Sequence, residues 1–508
     1  MPAVALARSF PAAAPAFPTD PETDRLARWR RAFPALDALI RSGAAPGAAM
    51  RRLGLTFWAA GETNAAVEAL DEAVTLSPQD AAAWLDLGFA RRAAGLTHEA
   101  LEAFERAAEL TPQVARVWLA LGLAAKEISA VARAESALEK AVALDPGADD
   151  AAYGLGLIAF EARRYAEAAQ RWRPLAARGY QAAGLALGLG QCQFFLGEFG
   201  AAAQSLAEHL ASAPDADGTI ALRLELVSFL DGAIRGGPEG AATAYAAAGG
   251  VAPLKSLARS AVPLLSAYGY AGTALALADA YLADEADDPV LSHHLAALRA
   301  EPTARAPARY VAAYFDRFAE TFDEQMFEVL HYCGPRKLSD LVAATGLQGG
   351  RTLDLGCGTG AAGPLLRPRA KTLTGVDLSP NMLAKAAARG LYDELAEADM
   401  VDYLAQRPGA FDLIFAADSL IYFGDLEPAI AASARALAPG GGLALTLEMT
   451  AKAPYEFTPS GRFAHAPRAL IALAAAHGLG LRASRRAFLR LEAHRRVYGA
   501  LIVLERRE

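Results

Sequence analysis

Small, large and proline positions return every 34 residues across 47–216. Gly54, Gly88, Gly122, Gly156 and Gly190 share one register, Ala66, Ala100, Ala134, Ala168 and Ala202 a second, and Leu70, Phe104, Leu138, Trp172 and Leu206 a third. Trp84 and Trp118 lie one period apart, Pro78, Pro112 and Pro146 close three successive periods, and Pro214 falls two periods beyond Pro146. This pattern predicts five helical hairpins. Small residues allow close helix approach, large ones fill the gap, and proline ends the second helix. One hairpin cannot bury its apolar face, so neighbours must stack. In the fourth unit Tyr180 stands at the proline position and Ala152 at the tryptophan position, which predicts a local irregularity rather than a break. Beyond Gly218 the period weakens, yet 221–234, 253–268, 273–289 and 291–300 still read as apolar-faced helices, so 26–300 is expected to form one helical-repeat domain.

The pattern then changes. Residues 301–308, EPTARAPA, read as a linker. Residues 310–338 read as a helical pair in which Tyr314, Phe315, Phe318 and Phe322 share a face, as core, as a lid over a cofactor, or as both. From Gly350 apolar runs alternate with amphipathic stretches: strands are expected at 351–356, 371–377, 392–399, 411–418 and 441–449, with helices between them, a further helix at 467–479 and two closing strands at 481–491 and 497–506. Such alternation predicts a doubly wound α/β sheet, which takes its ligands at the carboxyl ends of its strands. At the first such end stands RTLDLGCGTG, with Gly356, Gly358 and Gly360 at alternate positions. A glycine turn alone is weak evidence, and with Ala361 it nearly meets the dinucleotide fingerprint. The acidic residues around it move the reading. Asp354, just before the glycines, would repel a pyrophosphate but suit an ammonium group. Asp377 ends the second strand, where a carboxylate accepts from ribose hydroxyls. Asp399 follows the third strand, within reach of an adenine amino group, and Asp418 ends the fourth.

The 34-residue register resembles the tetratricopeptide repeat. Residues 309–508 resemble the class I S-adenosylmethionine-dependent methyltransferases, a Rossmann-like α/β fold. Over nearly the whole chain, through HHLAALRAE, YVAAYFDRFAETFD, DSLIYFGDL and YEFTPSGRFAHAP, the sequence resembles bacterial predicted methyltransferases that carry tetratricopeptide repeats. The resemblance implies S-adenosylmethionine as cofactor. Asp354 to Gly360, with Gly356, Cys357 and Gly358 between them, would pack against its methionine part, Asp377 would hold the ribose, and Asp399 with Met400 would contact adenine. Leu378, Met382 and Asp418 complete the expected cofactor set. After the fourth strand the chain reads Asp418-Ser419-Leu420-Ile421, without the (N/D)-P-P-(Y/F) of many amino-methylating enzymes, which favours O- or C-methylation of a small or carrier-bound molecule. Asp418, Tyr422, Arg462 and His465 are the candidates at the acceptor: His465 as a base, Arg462 as partner of an acidic substrate group. Cys357 is expected to be a small packing residue rather than a nucleophile.

Composition narrows the partners. A net charge of −8 argues against a general nucleic-acid binder, and no apolar run of membrane length occurs. The three cysteines, Cys192, Cys333 and Cys357, are far apart with no CxxC pair, which suggests a reducing cytoplasm and no metal site. Residues 1–25, rich in Ala and Pro, read as a disordered leader. His293 and His294 lack a ligand cluster around them and are expected to pack or face solvent. The concave face of a repeat array usually takes a protein or peptide, so a protein partner or protein-bound substrate is expected there, with an array that only scaffolds the second half or mediates oligomerisation as the open alternative. Two other readings remain open on sequence: a non-catalytic scaffold that senses the cofactor, and a nucleotide-sugar or NAD enzyme on a similar sheet.

Overall fold

The computed structural model describes residues 25–213, 218–283, 287–301, 303–452, 454–493 and 495–507. The expected leader lies outside them save for Arg25, and so does Pro214. The chain divides into two compact units, one up to Cys192 and one from Gln193 on.

The first unit holds α1 (Arg25–Ala32), α2 (Pro34–Arg41), α3 (Pro46–Ala59), α4 (Thr63–Leu76), α5 (Ala81–Ala93), α6 (Thr97–Leu110), α7 (Ala115–Glu127), α8 (Val131–Leu144), α9 (Asp149–Glu161) and α10 (Tyr165–Ala177). The registers read from sequence are contact registers. Gly54 faces Leu70, Gly88 Phe104, Gly122 Leu138 and Gly156 Trp172, so closely that a methyl group on each glycine would stand 2.0–2.6 Å from the partner side chain. Ala66, Ala100, Ala134 and Ala168 are fully buried. Each buried large side chain contributes roughly 1.5–3 kcal/mol over its exposed state. The Trp84 and Trp118 indole N–H groups donate to the carbonyls of Pro78 and Pro112 at 3.0 and 2.9 Å, so tryptophan fastens the turn that proline ends. Successive units are also bridged on the surface, by Arg92–Glu127 and Lys126–Glu161, both at 2.8 Å, each worth at most about 1 kcal/mol in solvent. Where proline gives way to Tyr180 the connection lengthens to residues 178–184, against 145–148 one unit earlier, and Tyr153 donates to the Ala183 carbonyl at 2.8 Å. That is the irregularity expected of the fourth unit. A helix α11 (Leu185–Phe195) runs across the division between the units.

The second unit opens with α12 (Phe199–Ser212), α13 (Gly218–Ala247, broken at Gly236–Gly237), α14 (Leu254–Ala267), α15 (Ala271–Ala283) and α16 (Pro289–Leu298). Phe229, Leu230, Val262, Leu265, Leu277 and Leu291 are among their shared core. These helices, expected to belong with the repeats, thus fall in the compact unit that also holds the sheet.

After α17 (Ala308–Phe318), a π-helical turn (Glu324–Val329) and α18 (Gly334–Thr345), the sheet follows: β1 (Gly350–Leu355), α19 (Gly363–Leu366), β2 (Ala370–Asp377), α20 (Pro380–Ala388), β3 (Glu394–Glu397), α21 (Met400–Ala405), β4 (Phe411–Ala416), α22 (Glu427–Ala436), β5 (Leu437–Met449), β6 (Tyr455–Phe457), β7 (Phe463–His465), α23 (Pro467–Ala476), β8 (Leu479–Glu492) and β9 (Arg495–Arg506). The order is β3-β2-β1-β4-β5-β7-β6, with β9 pairing antiparallel to both β5 and β8. Strands β1 to β5 are parallel, which requires helices on both faces. Neighbours along β4 show it: Ile414 packs in the core with Leu404, Ile430 and Leu470, whereas Leu413 and Phe415 pack with Leu338, Val342 and Leu366. The fold is therefore a helical repeat region followed by a doubly wound α/β domain. Among the described residues no helix is long and apolar enough to cross a membrane.

Two segments differ from the sequence reading. Residues 455–465 form the β6–β7 hairpin, whose three-residue strands are too short to leave a period in sequence. The 301–308 stretch is not slack: the Ala304 carbonyl accepts from the Gly424 and Asp425 amides at 2.9 and 2.8 Å, the Ala306 amide donates to the Tyr422 carbonyl at 2.8 Å, and Arg305 bridges Phe423. Backbone pairing of this kind does not depend on composition.

Candidate active site

The carboxyl ends of β1 and β2 form one corner. Gly356, Gly358 and Gly360 all take positive φ, at 77°, 53° and 77°. A side chain on Gly356 would be strained, and its Cβ would stand 2.5 Å from that of Ser419 and 3.7 Å from the Met400 methyl. The glycine therefore lets the β1 turn, the loop after β4 and the start of α21 meet. The Gly356 and Cys357 amides donate to the Val376 carbonyl, and the Gly358 amide donates to Asp377 Oδ2 at 2.9 Å. Asp377 Oδ1 accepts from the Ser379 amide, also at 2.9 Å. Burial raises the Asp377 carboxyl above its ordinary value against these hydrogen bonds. Asp354 is buried, accepts from the Tyr392 hydroxyl at 2.6 Å, and has its carboxyl pushed up to about 7, first by burial. Cys357 is a buried packing residue: its sulfur lies 2.9 Å from where a Cβ on Gly375 would stand, and burial raises its thiol well above the usual range. Met382 is wholly buried and Leu378 half-buried beside the turn that Ser379 caps.

The aromatic segment of α17 and its π-helical extension is pinned to this corner by polar contacts. Asp316 accepts from the Ser379 hydroxyl at 2.5 Å and the Asn381 amide at 3.2 Å, and Asp323 accepts from Thr359 at 2.6 Å and pairs with Arg389. The expected shared aromatic face is present, with Phe315 against Phe322 and Tyr422, and Tyr314 against Phe318. Tyr314, Phe315, Phe318 and Phe322 are all half-buried.

Of the expected acceptor residues, Asp418 and Arg462 share one ion network with Tyr422 beside it, and His465 stands apart. Asp418, at φ 53°, has its carboxylate held by Thr446 at 2.6 Å and by Arg490 at 2.8 Å. Arg462, expected to meet an acidic substrate group, gives its Nε–H to Glu448, at 2.8 Å, and an Nη2–H to Glu492. Arg490 also pairs with Glu448, whose carboxyl is held at about 2: burial would raise it, and the two guanidinium groups outweigh burial. Asp418, Glu448, Glu492, Arg462 and Arg490 are therefore one ion network. Arg490 was missed in the sequence because β8, with several arginines, gives no sign of which one turns inward. Tyr422 is half-buried beside this network and Tyr314, and burial raises its hydroxyl. His465 ends β7, and Arg462 stands just before that strand. The His465 Nε2 sits 3.3 Å from the Gly424 carbonyl, its Nδ1 has no partner, and the residue lines a cavity of about 190 Å³ with Tyr455, Leu470 and Leu473. His293 and His294 prove to be packing residues: both are buried, with His293 Nε2 2.8 Å from the Gly461 carbonyl.

Asp399 is also engaged. Its Oδ1 caps α21 through the Val401 amide at 2.9 Å, and its Oδ2 pairs with Arg305. A cavity of about 360 Å³ opens along it, lined also by Arg305, Val401, Phe423 and Pro428.

Comparison with known proteins agrees with this architecture. Residues 353–445 match the methyltransferase domain family, and 57–125, 24–81, 119–172 and 153–217 match tetratricopeptide repeat families. A ubiquinone biosynthesis O-methyltransferase of Thiobacillus denitrificans is 34% identical over 23% of this chain and 51% of its own length. One of Aromatoleum aromaticum is 31% identical over the same shares. The chain thus spans about half the length of these curated relatives. Among solved structures, an N-methyltransferase of Bradyrhizobium japonicum in complex with S-adenosylhomocysteine is 21% identical, covering 39% of this chain and 99% of that one, with a TM-score of 0.33.

The cofactor of the domain is S-adenosylmethionine, and the corner fits it. The Ser419 hydroxyl is buried without a partner, 3.3 Å from where a Cβ on Gly356 would stand, and the acidic Asp354 and Asp377 suit a ligand with an ammonium group and ribose hydroxyls rather than a pyrophosphate. The chain thus joins a segment that matches the methyltransferase domain family, residues 353–445, to segments within 24–217 that match tetratricopeptide repeat families.

Proposed function

We propose that the protein methylates oxygen or carbon on a small or carrier-bound molecule, and that its repeats recruit a protein partner or the carrier. The observation that carries the reading is the glycine turn at the end of β1, closed onto Asp377 by the Gly358 amide and tied to Asp316 of α17 and to Asp323 beyond it. When bound there, the sulfonium supplies an electrophilic methyl group for in-line displacement. The chain's own part is to align the acceptor and exclude water. Asp377 would hold the ribose, Asp354 the ammonium group, and Met400 and Leu378 would flank the adenine. Tyr422, a phenol that is protonated at neutral pH and whose hydroxyl burial raises further, would donate a hydrogen bond to the acceptor rather than take its proton. Arg462, Arg490, Glu448 and Asp418 would form a rigid floor, since each is already paired. His465 is assigned no proton transfer in this reading, because it faces the second cavity. The absence of an (N/D)-P-P-(Y/F) sequence after β4 and the O-methyltransferase names of the curated relatives favour oxygen over nitrogen. A reducing cytoplasm fits the three free cysteines.

The test is transfer of radiolabelled methyl from the cofactor by the full-length chain in cell extract. Label in the solvent-extractable fraction supports a small acceptor, and label on a protein band supports a carrier. Cofactor binding without transfer to any fraction would support the scaffold reading instead.

A further inference from the structure

We infer that the cavity along His465 is a second ligand site, apart from the glycine turn, which takes a small neutral ring carrying one hydroxyl and receives its O–H on His465 Nδ1. Three elements build the cavity: residues 424–427 after β4, the β6–β7 hairpin, and α23. Backbone hydrogen bonds anchor the first two. The Gly424 and Asp425 amides donate to the Ala304 carbonyl at 2.9 and 2.8 Å, the Thr450 amide donates to the His465 carbonyl at 3.1 Å, and the Ala466 amide donates to the Pro454 carbonyl at 3.1 Å. Gly424 brings loop and hairpin together, since a Cβ there would stand 2.7 Å from the Tyr455 ring. His465 is 2% exposed. Its Nε2 lies 3.3 Å from the Gly424 carbonyl, so that nitrogen carries the proton and Nδ1 is left with a lone pair. Nδ1 is buried and has no partner. A buried polar atom left so costs about 1–3 kcal/mol, which a donor entering the cavity would offset. Burial lowers the imidazole below its ordinary value, so the ring stays a neutral acceptor at pH 7. Tyr455, Leu470 and Leu473 supply apolar wall. Two further lining residues, Asp425 and Glu427, are exposed carboxylates, and among the lining residues there is no lysine or arginine to pair with an anion. The volume of about 190 Å³ exceeds the roughly 150 Å³ that holds a benzene ring. None of Gly356, Asp377, Met400 and Ser419 lines it, so the site does not depend on the cofactor reading.

The experiment titrates phenol, toluene and benzoate into the full-length wild type, His465→Leu and Leu473→Trp by ligand-observed NMR, with and without S-adenosylhomocysteine. Phenol and toluene are alike in size and differ in the donor. The wild type should bind phenol, and benzoate at least about tenfold more weakly, because a like charge beside two carboxylates is repelled. In His465→Leu the affinity for phenol relative to toluene should fall about three- to tenfold, the scale of one neutral hydrogen bond. Leu473→Trp, which fills the cavity from α23, should abolish binding of both rings. If His465→Leu does not fold, Leu473→Trp and the benzoate comparison still decide the matter. S-adenosylhomocysteine should leave phenol binding unchanged. A phenol-to-toluene ratio that His465→Leu leaves unaltered, or benzoate binding as tight as that of phenol, would overturn the inference. So would phenol binding that survives Leu473→Trp, that S-adenosylhomocysteine displaces, or that is absent from the wild type.

Discussion

Asp354 is 2% exposed at the end of β1, and its carboxyl lies at about 7 against an ordinary 3.8 because burial, with help from the Asp377 charge, outweighs the Tyr392 hydrogen bond. Between those values the folded chain keeps a proton that the unfolded chain has released. The stability this group contributes is therefore full below about pH 4 and lost as pH rises through 7. Asp354→Asn removes that loss, so in urea unfolding its advantage over wild type should grow from pH 5 to pH 8; an advantage independent of pH would contradict the assignment. Two neighbouring glycines make a paired test. Gly356→Ala meets Ser419 at 2.5 Å and should cost roughly 1–3 kcal/mol and most cofactor affinity. Gly358→Ala, with open space around it, should cost only the positive-φ penalty of about 1–2 kcal/mol. Equal losses of stability in denaturant melts would show that the close approach at Gly356 does not matter.

Among the elements, the repeat hairpins were the most legible, because one contact, small residue against large, recurs at a fixed spacing. Gly156 against Trp172 is its tightest case, at 2.0 Å. Gly156→Ala should gain up to about 1 kcal/mol of helix propensity but lose roughly 1–3 kcal/mol to overpacking, a net fall in thermal stability readable by calorimetry. A stabilised variant would mean that the indole can move aside. The sheet was legible for a related reason: strands buried on both faces read as apolar runs, and Asp354, Asp377 and Asp418 mark where three of them end. What sequence did not reveal depends on long-range partners. The β6–β7 hairpin is too short to leave a period. The strap at 303–306 is ordered by backbone pairing with residues 422–425. The inward turn of Arg490 depends on Glu448 and Asp418, 42 and 72 residues away. The same dependence separated Arg462 from His465, three residues apart: Arg462 pairs with Glu448 and Glu492, and His465 lines the smaller cavity.

For the molecule as a whole, the repeat array and the α/β domain each follow from their own local pattern. The compact units part at Cys192–Gln193 rather than at the Pro/Ala stretch near 300, and helices α12–α16, which share a core of their own, lie in the second unit. The full-length chain is therefore the right material for functional work, since a fragment beginning near 305 would lose those helices and part of the strap that holds Arg305. The central claim is that the glycine turn and Asp377 form an S-adenosylmethionine site. Calorimetric titration of S-adenosylhomocysteine into the full-length chain, with NAD and an Asp377→Ala variant of unchanged melting behaviour alongside, tests it most directly. The account predicts micromolar binding of S-adenosylhomocysteine, none of NAD, and a loss of at least about tenfold in the variant. Binding of NAD in its place, or equal affinity in wild type and variant, would contradict it.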